Sequence, residues 1–252
     1  GFDGPDFDFI NPDNLEGSDF RFPSQNVSVF TETLIPISSC WYVTPGARFE
    51  YIRTQNTGYY LSENRHPLTN EVLYSEQIEA SDDDPRSMVL FGIGSTYRCF
   101  EDVEIYGNVS QNYRAINFSD VRVVNDNFQV DSNLTDEHGW TADLGFRGKV
   151  LRNSVTIDAS AFVMMYNNRI GQAQRAIGNY STKLVRTNIA DARFIGLELF
   201  EELELFKLLK KETKWGLTWY NNIALVDARY LKSNEKEFAG NYVENVPNMN
   251  FK

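Results

Sequence analysis

The chain has 252 residues, a formal net charge of −11 and an isoelectric point near 4.7. This acidic balance argues against nucleic acid as a partner, because nucleic-acid-binding surfaces need lysine- or arginine-rich patches that displace counterions. No segment approaches the run of about 18 apolar residues that a transmembrane helix requires, so any part that spans a membrane is expected to do so as strands.

Strict alternation of apolar and polar residues predicts a series of β-strands, because successive side chains of a strand point to opposite faces. From Trp140 to Phe146 the even positions are apolar, and the odd positions between them are Thr, Asp and Gly. In chain order, eight segments of this kind lie at 24–36, 41–56, 87–98, 102–115, 139–150, 153–169, 185–202 and 213–229. A ninth begins near Val246.

The links between these segments alternate in length. Short links lie near 37–40, 99–101, 151–152 and 203–212, and long links lie near 57–86, 116–138, 170–184 and 230–245. Bacterial outer-membrane barrels have short periplasmic turns and long extracellular loops. The pattern therefore predicts an all-β fold, an antiparallel transmembrane β-barrel, of which about eight or nine strands are present. The alternative is an ordinary amphipathic sheet in a soluble β-sandwich, which has no reason to sort its loops by length.

The two ends of the sequence shape the expected domain organisation. The chain begins at Gly1 without a methionine or a signal peptide, and it stops at Lys252 within an apparent strand. We therefore expect residues 1–252 to be one part of a single larger barrel domain, truncated at both ends.

Two smaller features concern the short links. Cys40 and Cys99 fall in different predicted turns with two strands between them, so we expect two free thiols or at most a weak disulfide bond. The basic cluster at Lys207, Lys210, Lys211 and Lys214 is interpreted as a solvated hairpin link. A short amphipathic helix with apolar residues at Leu205, Leu208 and Leu209 is the alternative.

Several stretches resemble TonB-dependent outer-membrane receptors, especially those of the ferric citrate type. The motifs that carry the resemblance occur in the order seen in such receptors, and they lie within 44–53, 106–120, 141–148, 166–171 and 186–198. Among them are Pro-Gly-Ala-Arg at 45–48, Ser-Gln-Asn-Tyr-Arg at 110–114 and Tyr-Asn-Asn-Arg-Ile-Gly at 166–171. The resemblance covers most of the chain and is more specific for the family than for the ligand.

The resemblance implies a barrel of about 22 strands closed by an N-terminal plug, in the bacterial outer membrane. It implies import of a ferric chelate, such as ferric citrate or a siderophore, powered by the TonB complex, with outer-membrane lipid around the barrel. Neither the plug nor the segment that contacts TonB is recognised in this sequence. A passive porin-like barrel and a soluble carbohydrate-binding or adhesive protein are the competing functions.

Catalysis finds little support in the sequence. His66 and His138 lie in separate predicted loops, and neither has a nucleophile motif near it. Asp82, Asp83 and Asp84 lack the spaced ligands of a calcium loop, so we interpret them as a solvated loop tip. We expect no enzymatic activity, no cofactor and no metal site.

Polar residues on the inward face are the candidate ligand-binding groups, because an anionic chelate entering the barrel must meet cations and hydrogen-bond donors. Arg114 shares the parity of Glu104 and Asn108 near the top of its strand, Arg175 lies in a long loop, and Arg186 begins the next strand. Ion pairing of these arginines with loop or plug carboxylates is the alternative to ligand contact. Six residues are predicted to face the lumen at greater depth: Arg48, Glu50, Asp143, Arg147, Asp158 and Glu198.

Overall fold

The computed structural model describes residues 17–66, 68–69, 71–100, 102–121, 123, 128–177, 181–210, 214–233, 235 and 237–252. Within these residues the chain forms one sheet of twelve strands and two single-turn helices. The strands are β1 Ser18–Arg21, β2 Ser24–Glu32, β3 Ile35–Pro36, β4 Trp41–Arg65, β5 Val72–Phe100, β6 Val103–Arg114, β7 Phe128–Val130, β8 Glu137–Val150, β9 Val155–Ile177, β10 Ser181–Glu204, β11 Thr218–Tyr230 and β12 Met249–Phe251. The helices are α1 Phe118–Val121 and α2 Leu205–Leu208.

The sheet is an antiparallel meander in the order β4, β5, β6, β8, β9, β10, β11 and β12, and each strand pairs with the next along this path. Strands β1, β2 and β3 line up along β4, so the first predicted strand forms in separate pieces. Strand β7 departs from the meander, since it pairs in parallel with β10. The expected antiparallel barrel sheet is thus confirmed, and it is open in this chain.

The prediction of long loops is wrong in two places. Residues 57–86 continue the β4–β5 hairpin as far as the pair Arg65 and Val72, and residues 170–184 continue the β9–β10 hairpin to the pair Ile177 and Ser181. These hairpin extensions carry polar residues on both faces, so the alternation that marks a strand is missing. Backbone pairing persists there because it does not depend on one face being apolar.

The link from β10 to β11, which holds the lysine cluster, is a hairpin link that also contains a short helix. Its described part contains α2, a single helical turn, and β11 begins only at Thr218. Trp215 and Leu217 therefore lie before the strand, outside the alternation predicted for them. No helix in the described part of the chain is long and apolar enough to cross a membrane.

The expectation of two free thiols is wrong, because Cys40 forms a disulfide bond, which was the alternative. Trp41 pairs with Tyr97, and Arg98 N donates to Cys40 O at 2.7 Å. The two strands between the cysteines run up and down the sheet, so they return the chain to the same end instead of separating the turns. The side chain of Cys99 lies outside the described residues.

The pairing register gives the sheet two chemically distinct faces. On the outer face, directly opposed residues form apolar rows across neighbouring strands, as in Phe146, Ala159, Leu199, Ile223 and Phe251. The opposite face, called the inner face here, is lined by polar side chains, and their place in the lumen stays a prediction. It carries Arg48, Glu50, Asp143, Arg147, Asp158 and Glu198. A small core lies at the long-loop end, where Val243 and Phe238 of the 231–248 link pack against Ala192, Ala228 and Tyr230.

The two faces predict opposite tolerance to charge. Leu144 lies on the outer face in the middle of an apolar row, whereas Asn108 lies on the inner face, where its Nδ2 donates to Asp143 Oδ1 at 3.3 Å. Leu144→Arg should lower the unfolding free energy of the full-length protein in lipid by about 2–4 kcal/mol. Asn108→Arg keeps a donor beside Asp143 and should cost far less. Equal losses in urea titrations of vesicle-embedded protein would contradict the assignment of the faces.

Candidate functional site at the long-loop end

The segment at 115–136, named here the crossing segment, connects β6 to β8 and contains α1 and β7. Its strand β7 lies on β10, with Phe128 opposite Leu184 and Val130 opposite Arg186. Strand β11 ends at the pair Tyr230 and Ala192, so the upper part of β10 has backbone groups that β11 does not pair. Unpaired strand edges bind additional strands. Strand β7 of the crossing segment pairs with this free edge of β10.

Arg114 fixes the beginning of the crossing segment. Its guanidinium lies 2.8 Å from Asp120 Oδ2 and 2.9 Å from Glu137 Oε1. Both carboxylates are buried, with 2% and 7% exposure, and Asp120 also accepts from Asn117 N at 3.1 Å. Buried carboxylates need such partners, so the geometry matches the ion-pairing alternative for Arg114.

Arg175 joins two links. It lies 3.0 Å from Asp131 of the crossing segment and 2.8 Å from Glu235 of the 231–248 link. Thr187 Oγ1 donates to Asp131 Oδ2 at 2.8 Å. The backbone N–H of Asn133, the Thr187 hydroxyl and the Arg175 guanidinium together hold the pKa of Asp131 below its ordinary value. This arginine is therefore committed to holding the links in place.

Arg186 differs from the other two arginines. Its guanidinium carbon lies 5.9 Å from the ring centroid of Phe128, which places it within reach of a cation–π interaction. Among the described residues its side chain forms neither a hydrogen bond nor an ion pair, and its buried Nε has no acceptor. Of the three arginines predicted to bind ligand, Arg186 is the one to which the described residues offer no carboxylate.

A pocket of about 410 Å³ lies between the crossing segment and the inner face of β4 and β5. Thr54 Oγ1 donates to Ile116 O at 3.2 Å, and Arg86 lies 2.5 Å from Asp136 Oδ1. These contacts hold the crossing segment against the wall. The pocket is lined by Thr54, Gln55, Asn56, Asp82, Asp84, Arg86, Ile116, Val121, Val130, Asp131, Ser132 and Leu134.

The pocket is richer in hydrogen-bond acceptors than in cations. Among the described lining residues, Asp82, Asp84 and Asp131 lie beside one guanidinium, that of Arg86. Burial and the neighbouring carboxylates raise the pKa of Asp84, although Arg86 opposes this effect. Asn56 is 7% exposed, and its side-chain oxygen has no partner among the described residues. The lining suits a ligand that presents amine or hydroxyl donors.

The sequence interpretation missed this pocket because it placed Asp82 to Asp84 at a solvated loop tip. They lie instead within β5, opposite Thr54, Gln55 and Asn56 of β4. The signal available in the sequence was the run of small and polar residues on both sides of the hairpin, which resembles a loop. Within the described part, no group of three or more His, Cys, Asp or Glu residues is arranged to hold a metal ion.

The deeper inner wall is a network of paired polar groups. Tyr106 donates to Asp158 Oδ1 at 3.0 Å, and Arg147 and Arg98 both pair with Glu104. Arg48 pairs with Glu50 on the same strand. Asp143 accepts from Asn108, and Glu198 is an exposed member of the same face. Such a wall is wetted and carries charge of both signs.

An apolar outer face, a polar inner wall and links folded inward at one end define the class of the protein. Hydrocarbon offers no partners to free backbone groups, so a sheet that spans a membrane must close into a barrel. The chain is a sector of such a transmembrane β-barrel.

The family model described as "TonB dependent receptor-like, beta-barrel" matches residues 2–252. The chain therefore belongs to the TonB-dependent receptor family, whose barrels lie in the bacterial outer membrane, and the soluble sandwich alternative is wrong. No curated protein matches the sequence.

Three solved structures show the likeness of the fold. The siderophore receptor PiuA from Acinetobacter baumannii is 16% identical with a TM-score of 0.63, over 92% of this chain and 30% of that chain. The ferric yersiniabactin uptake receptor FyuA from Yersinia pestis is 17% identical with a TM-score of 0.63, over 93% and 31%. The ferric citrate transporter FecA is 20% identical with a TM-score of 0.59, over 93% and 30%. The chain spans about a third of the length of these structures.

The environment of Asp131 predicts a pH dependence for the crossing segment. A carboxyl whose pKa is lowered on folding contributes stability above its unfolded pKa, about 3.9, and this stability is lost as the pH falls through the lower folded value. Amide hydrogen-exchange protection at 128–131, corrected for intrinsic rates, should therefore fall below about pH 4. Asp131→Asn should show low protection at every pH. A wild-type profile that stays flat down to acid unfolding would contradict this account.

Proposed function

We propose that the chain is the barrel sector of a receptor that imports a ferric chelate, such as ferric citrate or a siderophore, across the outer membrane. The observation that carries the proposal is the crossing segment, which folds inward and encloses a pocket against the inner wall. The similarity of the fold to siderophore and ferric citrate receptors supports the same function. A barrel opening that is narrowed by a polar segment suits binding of a ligand better than free diffusion of solutes through an open pore.

The remaining parts of the mechanism belong to the same proposal. Further strands complete the barrel, and a plug fills its lumen in the full-length receptor. The links at the long-loop end bind the chelate from outside the cell. Pulling by the TonB complex moves the plug, and the chelate passes into the periplasm. No bond of the chelate is made or broken by this chain, so the proposal includes neither enzymatic activity nor a cofactor.

The charges of the three arginines and of the pocket lining narrow the chemical class of chelate that this end of the barrel is proposed to bind. Arg114 and Arg175 are neutralised by carboxylates, and the described lining of the pocket presents more acceptors than cations. A purely anionic chelate therefore gains attraction from Arg186 alone among the three predicted arginines. A chelate whose organic part also carries amine or hydroxyl groups suits the pocket, because Asn56 and Asp84 line it with acceptors.

Uptake of radioactive iron tests the proposal. The full-length receptor is expressed in a host without its own iron-chelate receptors, with TonB present or deleted. The two probes are ferric citrate and ferrioxamine B, which carries a free amine. We expect uptake of at least one chelate that requires both the receptor and TonB. TonB-independent entry of both chelates would contradict active import and indicate a passive porin.

Arg186→Ala should weaken binding of the imported chelate about tenfold, because a hydrogen bond to a charged group contributes about 1.5–3 kcal/mol. Arg53→Ala is the matched control, since Arg53 forms an ion pair with Asp83 on the outer side of the β4–β5 hairpin. Its loss should leave binding unchanged. Equal binding by both variants, measured by fluorescence quenching on the purified receptor, would remove Arg186 from the ligand site.

A further inference from the structure

Two arginines lie directly opposite each other on the outer face of the sheet. Arg193 of β10 pairs in register with Arg229 of β11, and Met165 of β9 is the neighbour of Arg193 on the other side. Like charges directly opposite on neighbouring strands destabilise a sheet unless an anion compensates them. An anion is therefore expected beside this arginine pair.

The described residues supply one carboxylate to this pair, that of Asp227, and it interacts mainly with one of the arginines. Arg229 Nε lies 3.0 Å from Asp227 Oδ1, whereas the approach of Arg193 Nη2 to Asp227 Oδ2 is 3.6 Å, too long for a hydrogen bond. Arg193 Nε has no acceptor among the described residues. The pair therefore retains about one positive charge and several unused donors.

Arg229 is held in place by an aromatic ring. Its guanidinium carbon lies 4.2 Å from the ring centroid of Tyr242, and Nη2 donates to the Tyr242 hydroxyl at 2.7 Å. A guanidinium fixed in this way binds an anion with a small loss of conformational freedom. The arginine pair is thus a partly preorganised anion site.

The position of the pair identifies the anion. Immediately below it on the outer face lie exposed apolar side chains, among them Ile195, Leu197 and Leu225. The pair lies toward the long-loop end, which is the extracellular end in outer-membrane barrels. Trp140 belongs to the same cross-strand row, and tryptophan and tyrosine concentrate at membrane interfaces. The arginines therefore lie at the level of the outer-leaflet headgroups.

We infer that Arg193 and Arg229 bind the phosphate of a lipid in the outer leaflet of the outer membrane. The two guanidinium groups hold the phosphate from adjacent strands, and the apolar residues below contact the acyl chains. This inference depends on the membrane face of the barrel, and it is independent of the ligand that the receptor imports.

Thermal unfolding of the purified full-length receptor in detergent tests the site. The probes are lipid A with its phosphates, the same lipid after enzymatic removal of the phosphates, and inorganic phosphate at equal concentration. We expect the phosphorylated lipid to raise Tm and the other two probes to have little effect. An equal rise with the dephosphorylated lipid would show that the acyl chains alone bind. An equal rise with inorganic phosphate would show an adventitious ion only. Either outcome would overturn the inference.

Variants separate loss of the site from loss of the fold. The double variant Arg193→Gln/Arg229→Gln should bind phosphorylated lipid at least about tenfold more weakly, since two charged donors are lost. Arg53→Gln, which removes an outer-side arginine far from the pair, should bind as the wild type does. Asp227→Asn should bind more tightly, because it removes the competing carboxylate. Unchanged binding in both the double variant and Asp227→Asn would contradict the site, even if one of these proteins were less stable.

Discussion

The structure depends on one constraint, which is that backbone N–H and C=O groups inside a bilayer must all find partners within the protein. Each long strand of the meander pairs in register with its neighbour over the membrane-spanning length. Because these backbone groups are hydrogen-bonded within the sheet, the side chains on the two faces can differ in chemistry. The outer rows, such as that of Phe146 and Leu199, meet lipid, and the inner wall carries paired charges.

Backbone pairing also explains the arrangement at the long-loop end, above the membrane. Where β11 stops at Tyr230, the edge of β10 is left without a partner, and β7 supplies one with Leu184 to Arg186. The crossing segment is thereby carried inward. Arg114 and Arg175 then neutralise two of its carboxylates, those of Asp120 and Asp131. The pocket against β4 and β5 is a consequence of this docking, so the geometry of the site follows from an unpaired strand edge.

The sequence predicted the strands within the membrane and failed mainly above it. From Trp140 to Phe146 one side of the strand faces lipid and is therefore apolar, so the alternation predicts the strand. In the hairpin extensions both faces are wet, and residues such as Asp82 and Asp84 look like a loop although their backbone is fully paired. Arg114 was found by parity, whereas Arg175 and Arg186 were chosen for their places in a long loop and at the start of a strand. The partner of Arg175 could not be predicted, because Asp131 is brought close to it by the pairing of β7 with β10. Cys40 was misjudged for a related reason, since two strands return the chain to the same end.

The geometry at the long-loop end requires that the crossing segment is docked on the edge of β10 in the assembled receptor. Gln129 and Val185 are directly opposed in that pairing, so cysteines placed at both positions lie within reach of each other. The most direct measurement is oxidation of the double variant Gln129→Cys/Val185→Cys in intact outer membranes, followed by mass spectrometry of the linked peptides. If the segment is docked, the two cysteines should form a rapid, nearly complete cross-link. Absence of this cross-link in folded receptor would contradict the docking, and with it the pocket.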